Sequence, residues 1–252
     1  MQIWRRVAFI GAIALLVGGA AGAQTAAVVG GNEVGFRLSL EGQSFTRAVN
    51  IFLLLTALSL APSFILMMTS FTRIVIVIGF LKQALGVQQA PSGRIVASLA
   101  LFLTFFIMQP TWNAIYQQAV LPFSKGEITE GVALEKAGAP LHRFMLAQTR
   151  EASLAMFMDL AGLDPASSEA DIPLRVVVPA FMVSELQTAY QMGFLIYLPF
   201  LVIDAVVATF LMSLGMMMLP PTMVSLPLKL LLFVMVDGWD LVVRGLVASF
   251  VV

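Results

Sequence analysis

The residues of this sequence that could do chemistry are charged side chains in strongly apolar surroundings. Asp204 and Asp237 lie in two separate apolar stretches, and Lys229 lies between them in the chain. Two carboxylates that meet inside a membrane could perform acid–base chemistry, as in an intramembrane protease. A charge inside a membrane is costly, however, and usually pairs with another charge. We therefore favour the alternative, in which each aspartate binds a nearby cation.

The spacing of Asp204 and Lys229 predicts one such ion pair. The turn at 215–221 has its midpoint near position 218, so Asp204 lies level with about position 232 of an antiparallel helix. Lys229 is then about 4.5 Å of helical rise away, a distance that a lysine side chain covers. The pair could form across the hairpin of one chain or between neighbouring subunits.

Other catalytic patterns are missing from the sequence. The only histidine is His142, and there is no H-E-x-x-H, no G-x-S-x-G and no glycine-rich phosphate loop. We expect His142 to be a solvated helix residue rather than a ligand. The absence of cysteine excludes disulfides, zinc–cysteine sites and cysteine nucleophiles. The sequence thus predicts a protein that is not an enzyme and has no metal or cofactor.

The composition predicts a membrane protein with several helices. The chain has 252 residues, of which 60% are apolar and 11% are charged, against roughly 25% charged residues in an average soluble domain. Its 14 basic and 14 acidic residues balance, so no basic surface is available for nucleic acid. These values exclude an ordinary soluble enzyme and a disordered chain. The length suits about four hydrophobic helices.

The N-terminus has the pattern of a secretory signal peptide. A basic pair, Arg5 and Arg6, precedes the short apolar run Val7–Val17, and small residues then lead to Ala21–Ala23. We expect cleavage after position 23, because the apolar run is too short for a retained transmembrane helix. Residues 24–46 are polar and rich in glycine, and we expect an exported, loosely structured segment there.

Two apolar hairpins flank a polar segment in the predicted organisation. Residues 47–110 form the first hairpin, in which Pro62 should kink or split the helix that begins near Asn50. Residues 111–178 contain more acidic than basic side chains and should face water, with one helix over Leu141–Leu160.

Residues 179–252 form the second predicted hairpin. A helix over Arg175–Gln191, broken early by Pro179, precedes the most hydrophobic stretch, Gly193–Leu214. Glu185 lies at the start of this apolar region. It could be an exposed helix residue or a contact between subunits, and the sequence does not separate these alternatives.

Charge bias predicts the orientation of the hairpins. Arg73, Lys82 and Arg94 lie in a stretch without acidic residues, which the positive-inside rule assigns to the cytoplasm. An exported N-terminus agrees with this orientation. Segment 111–178 would then lie outside, and the turn at 215–227 would return to the inner side.

A run of three methionines occupies the turn of the second hairpin. Met216, Met217 and Met218 lie between the predicted hinge and turn residues, which are Gly215 on one side and Pro220 and Pro221 on the other. Methionine is flexible and packs around irregular shapes. In a single chain, the run would be an apolar loop in the membrane interface. If several copies surround an axis, it would form an adaptable ring that blocks ions.

Several long segments of the sequence, in the same order, resemble the FliP family, which supplies a core subunit of the flagellar type III export gate. The resemblance extends from about residue 45 to the C-terminus. It rests on Leu66–Ile78, Gln83–Gly86 with Gln89, Leu99–Thr104, Val178–Phe181, Glu185–Leu186, Tyr197–Asp204, Gly215–Met218, Ser225–Lys229 and Leu232–Trp239.

The resemblance implies a fold and an assembly. The fold would be all-α, with membrane-associated kinked hairpins, a helical exported segment between them, and assembly into a ring or cone that is lifted largely out of the bilayer. The family forms a ring of five, completed by one FliR and four FliQ subunits, and conducts unfolded flagellar proteins across the inner membrane. FlhA, FlhB and membrane lipid are the other implied partners. The location would be the flagellar basal body, with the exported segments in the periplasm.

The resemblance also implies roles for single residues. Met216, Met217 and Met218 would line the closed pore as a gasket. The exported aromatics Phe144 and Phe157 would contact other subunits, as would Glu185, and Asp204 and Lys229 would be functional charges in the membrane.

Three alternatives differ from the flagellar gate. A subunit of virulence-type secretion would have a similar sequence, but such subunits usually lack the signal peptide and the long exported segment. An intramembrane enzyme would use Asp204 and Asp237. A small-molecule carrier would work as a monomer or dimer without small partner subunits.

Overall fold

A computed structural model describes residues 42–87, 91–163, 171–216 and 219–250, with side chains from residue 49 onward. All regular structure in these ranges is helical, which confirms the predicted all-α class. The predicted signal peptide and most of segment 24–46 lie outside the described residues. The α-helices are α1 (Gly42–Met67), α2 (Phe71–Leu85), α3 (Gly93–Ile107), α4 (Gln109–Ile115), α5 (Leu121–Lys125), α6 (Glu130–Gln148), α7 (Glu151–Leu160), α8 (Leu174–Ser213), α9 (Pro221–Met235) and α10 (Gly238–Ala248), and a π-helical stretch, Tyr116–Val120, joins α4 to α5.

The chain divides into two compact units, Met1–Ile65 and Leu66–Val252. Most of α1 belongs to the first unit. Of the two outcomes predicted for Pro62, a kink or a split, the split does not occur, because α1 continues through Pro62. Within this helix, the hydroxyls of Thr56 and Ser59 donate hydrogen bonds to carbonyls one turn earlier, at 2.8 Å and 2.7 Å. Such local bonds satisfy these two hydroxyls without a partner outside the helix.

Length and apolar composition make two helices capable of crossing a membrane, namely Val49–Met67 of α1 and the whole of α8. A third span is possible if α3 and the helical stretch Gln109–Lys125, which meet at a bend of 61°, are one broken span. The described residues thus provide two or three candidate spans rather than about four. The reason is that α9 has only 15 residues, fewer than a bilayer requires.

The second unit is built around α8, a helix of 40 residues that includes Pro179 and Pro199. The sequence predicted a break at Pro179, but the two expected elements form one helix, and the boundary expected at 178/179 lies inside it. Each proline removes one backbone donor. The helix nevertheless continues, because α2, α6, α7 and α9 pack along it.

Specific contacts show how the neighbours of α8 run. Arg73 and Phe80 of α2 meet Glu185 and Gly193 of α8 in the same order, so these two helices are parallel. Helix α9 returns in the opposite direction, since Asp204 meets Lys229 while Phe200, one turn earlier in α8, packs against Phe233. Helix α10 continues that return until Ser249 reaches Arg73. The predicted antiparallel second hairpin is thereby present in the described residues.

One apolar core joins α2, α3, α6, α8 and α10. Its fully buried members include Phe181 on α8 and Met145 on α6. The largest of the others are Ile74, Ile78, Met108 and Leu246. The polar segment therefore contributes to the core through one face of α6, while its charged side chains in the described ranges are exposed, apart from the half-buried Arg150.

Two predicted helices are interrupted in the structure. The helix expected over Leu141–Leu160 breaks at Thr149 and Arg150, both in extended conformation. There, the backbone N–H of Arg150 donates to Ser184 Oγ at 3.1 Å. The apolar stretch after position 225 breaks at Asp237, whose φ is 49°. Aspartate tolerates this left-handed conformation better than most side chains.

His142 is half-buried, and its Nε2 lies 2.8 Å from the carbonyl oxygen of Ile172, which accepts a hydrogen bond from the tautomer with a proton on Nε2. His142 is therefore a helix residue, as expected, but it is half-buried rather than fully solvated. The reason is tertiary, since the chain that enters α8 passes over α6 at this point.

Candidate functional site

A polar cluster joins α8, α9 and α2 at one end of the second unit. Lys229 Nζ lies 2.5 Å from Asp204 Oδ2 and donates to the carbonyl oxygen of Ala84 at 3.0 Å. Ser225 Oγ donates to the other carboxylate oxygen of Asp204 at 2.6 Å. The lysine is 5% exposed, whereas the aspartate side chain is 34% exposed. The structure thus brings the two predicted charges together within one chain.

Asp237, the other carboxylate considered for catalysis, lies away from this cluster in the exposed turn before α10. Within the described ranges, no hydrogen bond or ion pair joins its side chain to Asp204. The same ranges contain no group of three metal-binding side chains. The paired-aspartate arrangement of an intramembrane enzyme is not assembled here.

A second polar cluster surrounds Glu185. Its oxygens Oε2 and Oε1 accept from Nε, at 2.9 Å, and from Nη2 of Arg73. Glu185 is 0% exposed, so the alternative of an exposed helix residue was wrong. Arg73 is buried as well, and it is therefore not a free loop charge of the kind that the positive-inside rule counts. A role of Glu185 in subunit assembly stays a prediction.

The two aromatic residues of the polar segment pack inside the chain. Phe144 is buried, and its ring meets that of Phe181 edge-on at a centroid distance of 6.1 Å. Phe157 is half-buried against the same core. The predicted subunit contacts of both rings remain predictions, because the described contacts are within one chain.

The methionine turn begins where α8 ends. The N–H of Gly215 donates to the carbonyl of Met212, and the N–H of Met216 donates to the carbonyl of Leu211, both at 3.0 Å. This pair of bonds is a Schellman cap, with Gly215 in the left-handed conformation at a φ of 76°. Met216 is 42% exposed. Met217 and Met218 lie outside the described residues.

The predicted turn residues Pro220 and Pro221 lie at the opposite end of this turn. Pro220 precedes the helix in extended conformation, and Pro221 is the first residue of α9. A proline suits that position because the first helical N–H has no partner within the helix. Glycine and the two prolines thus end one helix and start the next.

Replacing Gly215 by alanine is expected to destabilise the chain by about 1 kcal/mol, because its left-handed conformation forces a Cβ against the backbone. Gly245→Ala is a suitable control, since Gly245 is helical and has no atom within 4 Å of an added Cβ. Unfolding in mixed detergent micelles measures both variants. Equal stability of the two variants would contradict the prediction.

Sequence reasoning missed several polar partners that the structure reveals. Arg73, Ser249 and the carbonyl of Ala84 were not assigned to either cluster. Arg73 offered one signal, because a cation between two apolar runs needs a partner. The identity of that partner, 112 residues away in the chain, could not be read from spacing.

Comparison with known proteins decides the family. A profile of the FliP family matches residues 54–246. The flagellar biosynthetic protein FliP of Cereibacter sphaeroides is 53% identical over 209 residues, which cover 83% of this chain and 69% of that protein. This chain belongs to the FliP family. The resemblance seen in its sequence motifs is thereby confirmed.

Two further members of the family are similar over most of their length. FliP of Pectobacterium carotovorum is 51% identical, with 83% of this chain and 81% of that protein covered. FliP of Bacillus subtilis is 50% identical, with 84% and 96% covered. The chain is therefore a flagellar biosynthetic protein and not an enzyme, as predicted. Its apolar helices and its family together support a membrane location.

Proposed function

We propose that this chain is the pore-forming core subunit of the flagellar type III export gate and conducts unfolded flagellar proteins across the inner membrane. Membership of the FliP family is the observation that carries the proposal. The flagellar names of its relatives favour this function over virulence-type secretion. The proposed complex is a pentameric ring with FliQ and FliR, served by FlhA and FlhB, with segment 111–178 on the periplasmic side.

The charges near the methionine turn suit a subunit that contains no catalytic centre. Asp204 and Lys229 neutralise each other within the chain, so no reactive carboxylate remains beside the turn. An exposed Met216 next to an ordered glycine cap would place soft apolar side chains at the axis of a ring. The resting gate is closed by this methionine ring and opens when substrate or partner subunits displace it.

Replacing Met216, Met217 and Met218 together by glycine is expected to raise the ion conductance of reconstituted complexes by at least about tenfold, because a dry apolar constriction is lost. Conductance is measured in planar bilayers, after native mass spectrometry has established equal assembly. Met235→Gly is the control, since Met235 is 76% exposed but lies at the far end of α9. A triple variant with parental conductance would refute the gasket.

A further inference from the structure

Arg73 was not predicted to be functional, yet its buried side chain connects three helices, α2, α8 and α10. It is 2% exposed. Its Nε and Nη2 bind the carboxylate of Glu185 on α8. Its Nη1 donates to the carbonyl oxygen of Ser249 at 2.7 Å and to Ser249 Oγ at 2.9 Å. The guanidinium carbon lies 3.8 Å from the ring centroid of Phe250.

These contacts lie at the C-terminal end of α10, where helical carbonyls lack partners within the helix. The Ser249 carbonyl is one of these orphan acceptors, and a cation is favourable beside the negative end of a helix. Phe250 is buried and stacks on the cation. The guanidinium therefore fastens the end of α10 to α2, in which Arg73 lies.

Glu185 presents no exposed carboxylate oxygen to a neighbouring molecule. The residue is fully buried, and each of its two oxygens accepts from Arg73. Two parallel hydrogen bonds from one edge of a planar guanidinium to a carboxylate hold the guanidinium in one orientation. The acidic residue thus fixes the direction of the arginine, and the other edge of the guanidinium is aimed at Ser249.

We propose that Arg73 is a positioning residue, held by Glu185, which latches the C-terminal end of α10 onto α2 and α8. Glu185 then influences subunit assembly through the placement of α10 and not by touching another subunit. This second statement rests on the proposed function, since it presumes a multi-subunit complex. The latch itself is a property of the single chain.

Arg73→Lys is expected to break the latch although it retains the positive charge. An ammonium group is a compact charge without the planar fork, so it cannot bind both Glu185 oxygens and Ser249 at once. Arg244→Lys is the matched control, because Arg244 pairs with Asp240 on the exposed face of α10 itself.

Hydrogen–deuterium exchange of the full-length chain in detergent tests the latch. Amides near Ser249 and Phe250 should exchange about tenfold faster in Arg73→Lys and in Glu185→Gln than in the parent, because the helix end opens locally. Amides in the middle of α8 should stay protected, and Arg244→Lys should match the parent throughout. Parental exchange at Ser249 and Phe250 in Arg73→Lys would overturn the proposal.

An apolar double variant, Arg73→Met with Glu185→Leu, guards against simple misfolding. It leaves no unpaired buried charge, and such replacements often retain the fold. The latch predicts faster exchange at the end of α10 in this variant too, whereas protection equal to that of the parent would overturn it.

Native mass spectrometry of the same variants, co-expressed with the partner subunits, separates the two proposals. Loss of the complex in both Arg73→Lys and the apolar double variant supports action through α10. If a variant shows faster exchange at the end of α10 but still forms the complex at the parental yield, Glu185 does not act on assembly through α10. A parent chain that assembles with no partner would refute the proposed function and leave the exchange result standing.

Discussion

Replacing Asp204 by alanine is expected to lower the free energy of unfolding by about 3 kcal/mol, the low end of the range for breaking a buried ion pair. The cost arises because Lys229 is 5% exposed and would keep only the carbonyl of Ala84 as a partner. The half-exposed carboxylate that is removed costs little by itself. The effect therefore comes from the charge left behind.

Unfolding in mixed micelles of mild detergent and dodecyl sulfate, followed by tryptophan fluorescence, measures this effect. Asp240→Ala is the control. Asp240 likewise forms an ion pair, in its case with Arg244 one helical turn away, but this pair is exposed. That variant should be nearly as stable as the parent, because exposed pairs contribute little. If both aspartate variants lost the same free energy of unfolding, burial of Lys229 would not explain the effect of Asp204→Ala.

Exchanging the two charges is expected to restore only part of the lost stability. Asp204→Lys with Lys229→Asp recreates an ion pair, but it places a carboxylate beside the Ala84 carbonyl, which then loses its donor. An apolar replacement of both residues should do better, because no buried charge or ion pair remains. Full rescue by the exchange would show that the Ala84 contact does not matter.

Replacing Gly193 by alanine is expected to cost about 2 kcal/mol, within the range for overpacked cores. An added Cβ would lie 2.5 Å from Phe80 Cγ and 2.9 Å from Phe80 Cβ. The Cβ of Phe80 is fixed to the backbone of α2, so the two helices would have to separate. Along α2 and α8, this contact lies between the Arg73–Glu185 pair and the Asp204–Lys229 cluster.

Gly79, the residue before Phe80, provides a control whose replacement by alanine should change stability in the opposite direction. It is helical and exposed, with no atom within 4 Å of an added Cβ. Gly79→Ala should therefore stabilise the chain by up to about 1 kcal/mol through helix propensity alone. Melting temperatures of the two alanine variants should move in opposite directions. A shift of the same sign in both would refute the close contact.

The parts of the fold that sequence predicts well are those with local causes. The ion pair of Asp204 and Lys229 followed from a turn midpoint and the rise of a helix, because both partners belong to one hairpin. The cap at Gly215 and the helix start at Pro221 depend on backbone preferences of single residues.

Helix continuity was harder to predict, because proline acts through its surroundings. Pro179 was expected to break a helix and Pro62 to kink or split one, yet both lie inside continuous helices. Conversely, the break at Thr149 and Arg150 has no proline or glycine to announce it. Packing on α8, where Ser184 accepts from the backbone of Arg150, accompanies that break.

The sequence by itself determined the class of this protein, its helical nature, its membrane character and its family, because composition and ordered motifs carry that information. Only the tertiary structure decided what Glu185 binds. Its partner Arg73 is 112 residues away, and Ser249 is 176 residues from Arg73. No local pattern encodes such pairings, since they depend on how α2, α8 and α10 pack side by side.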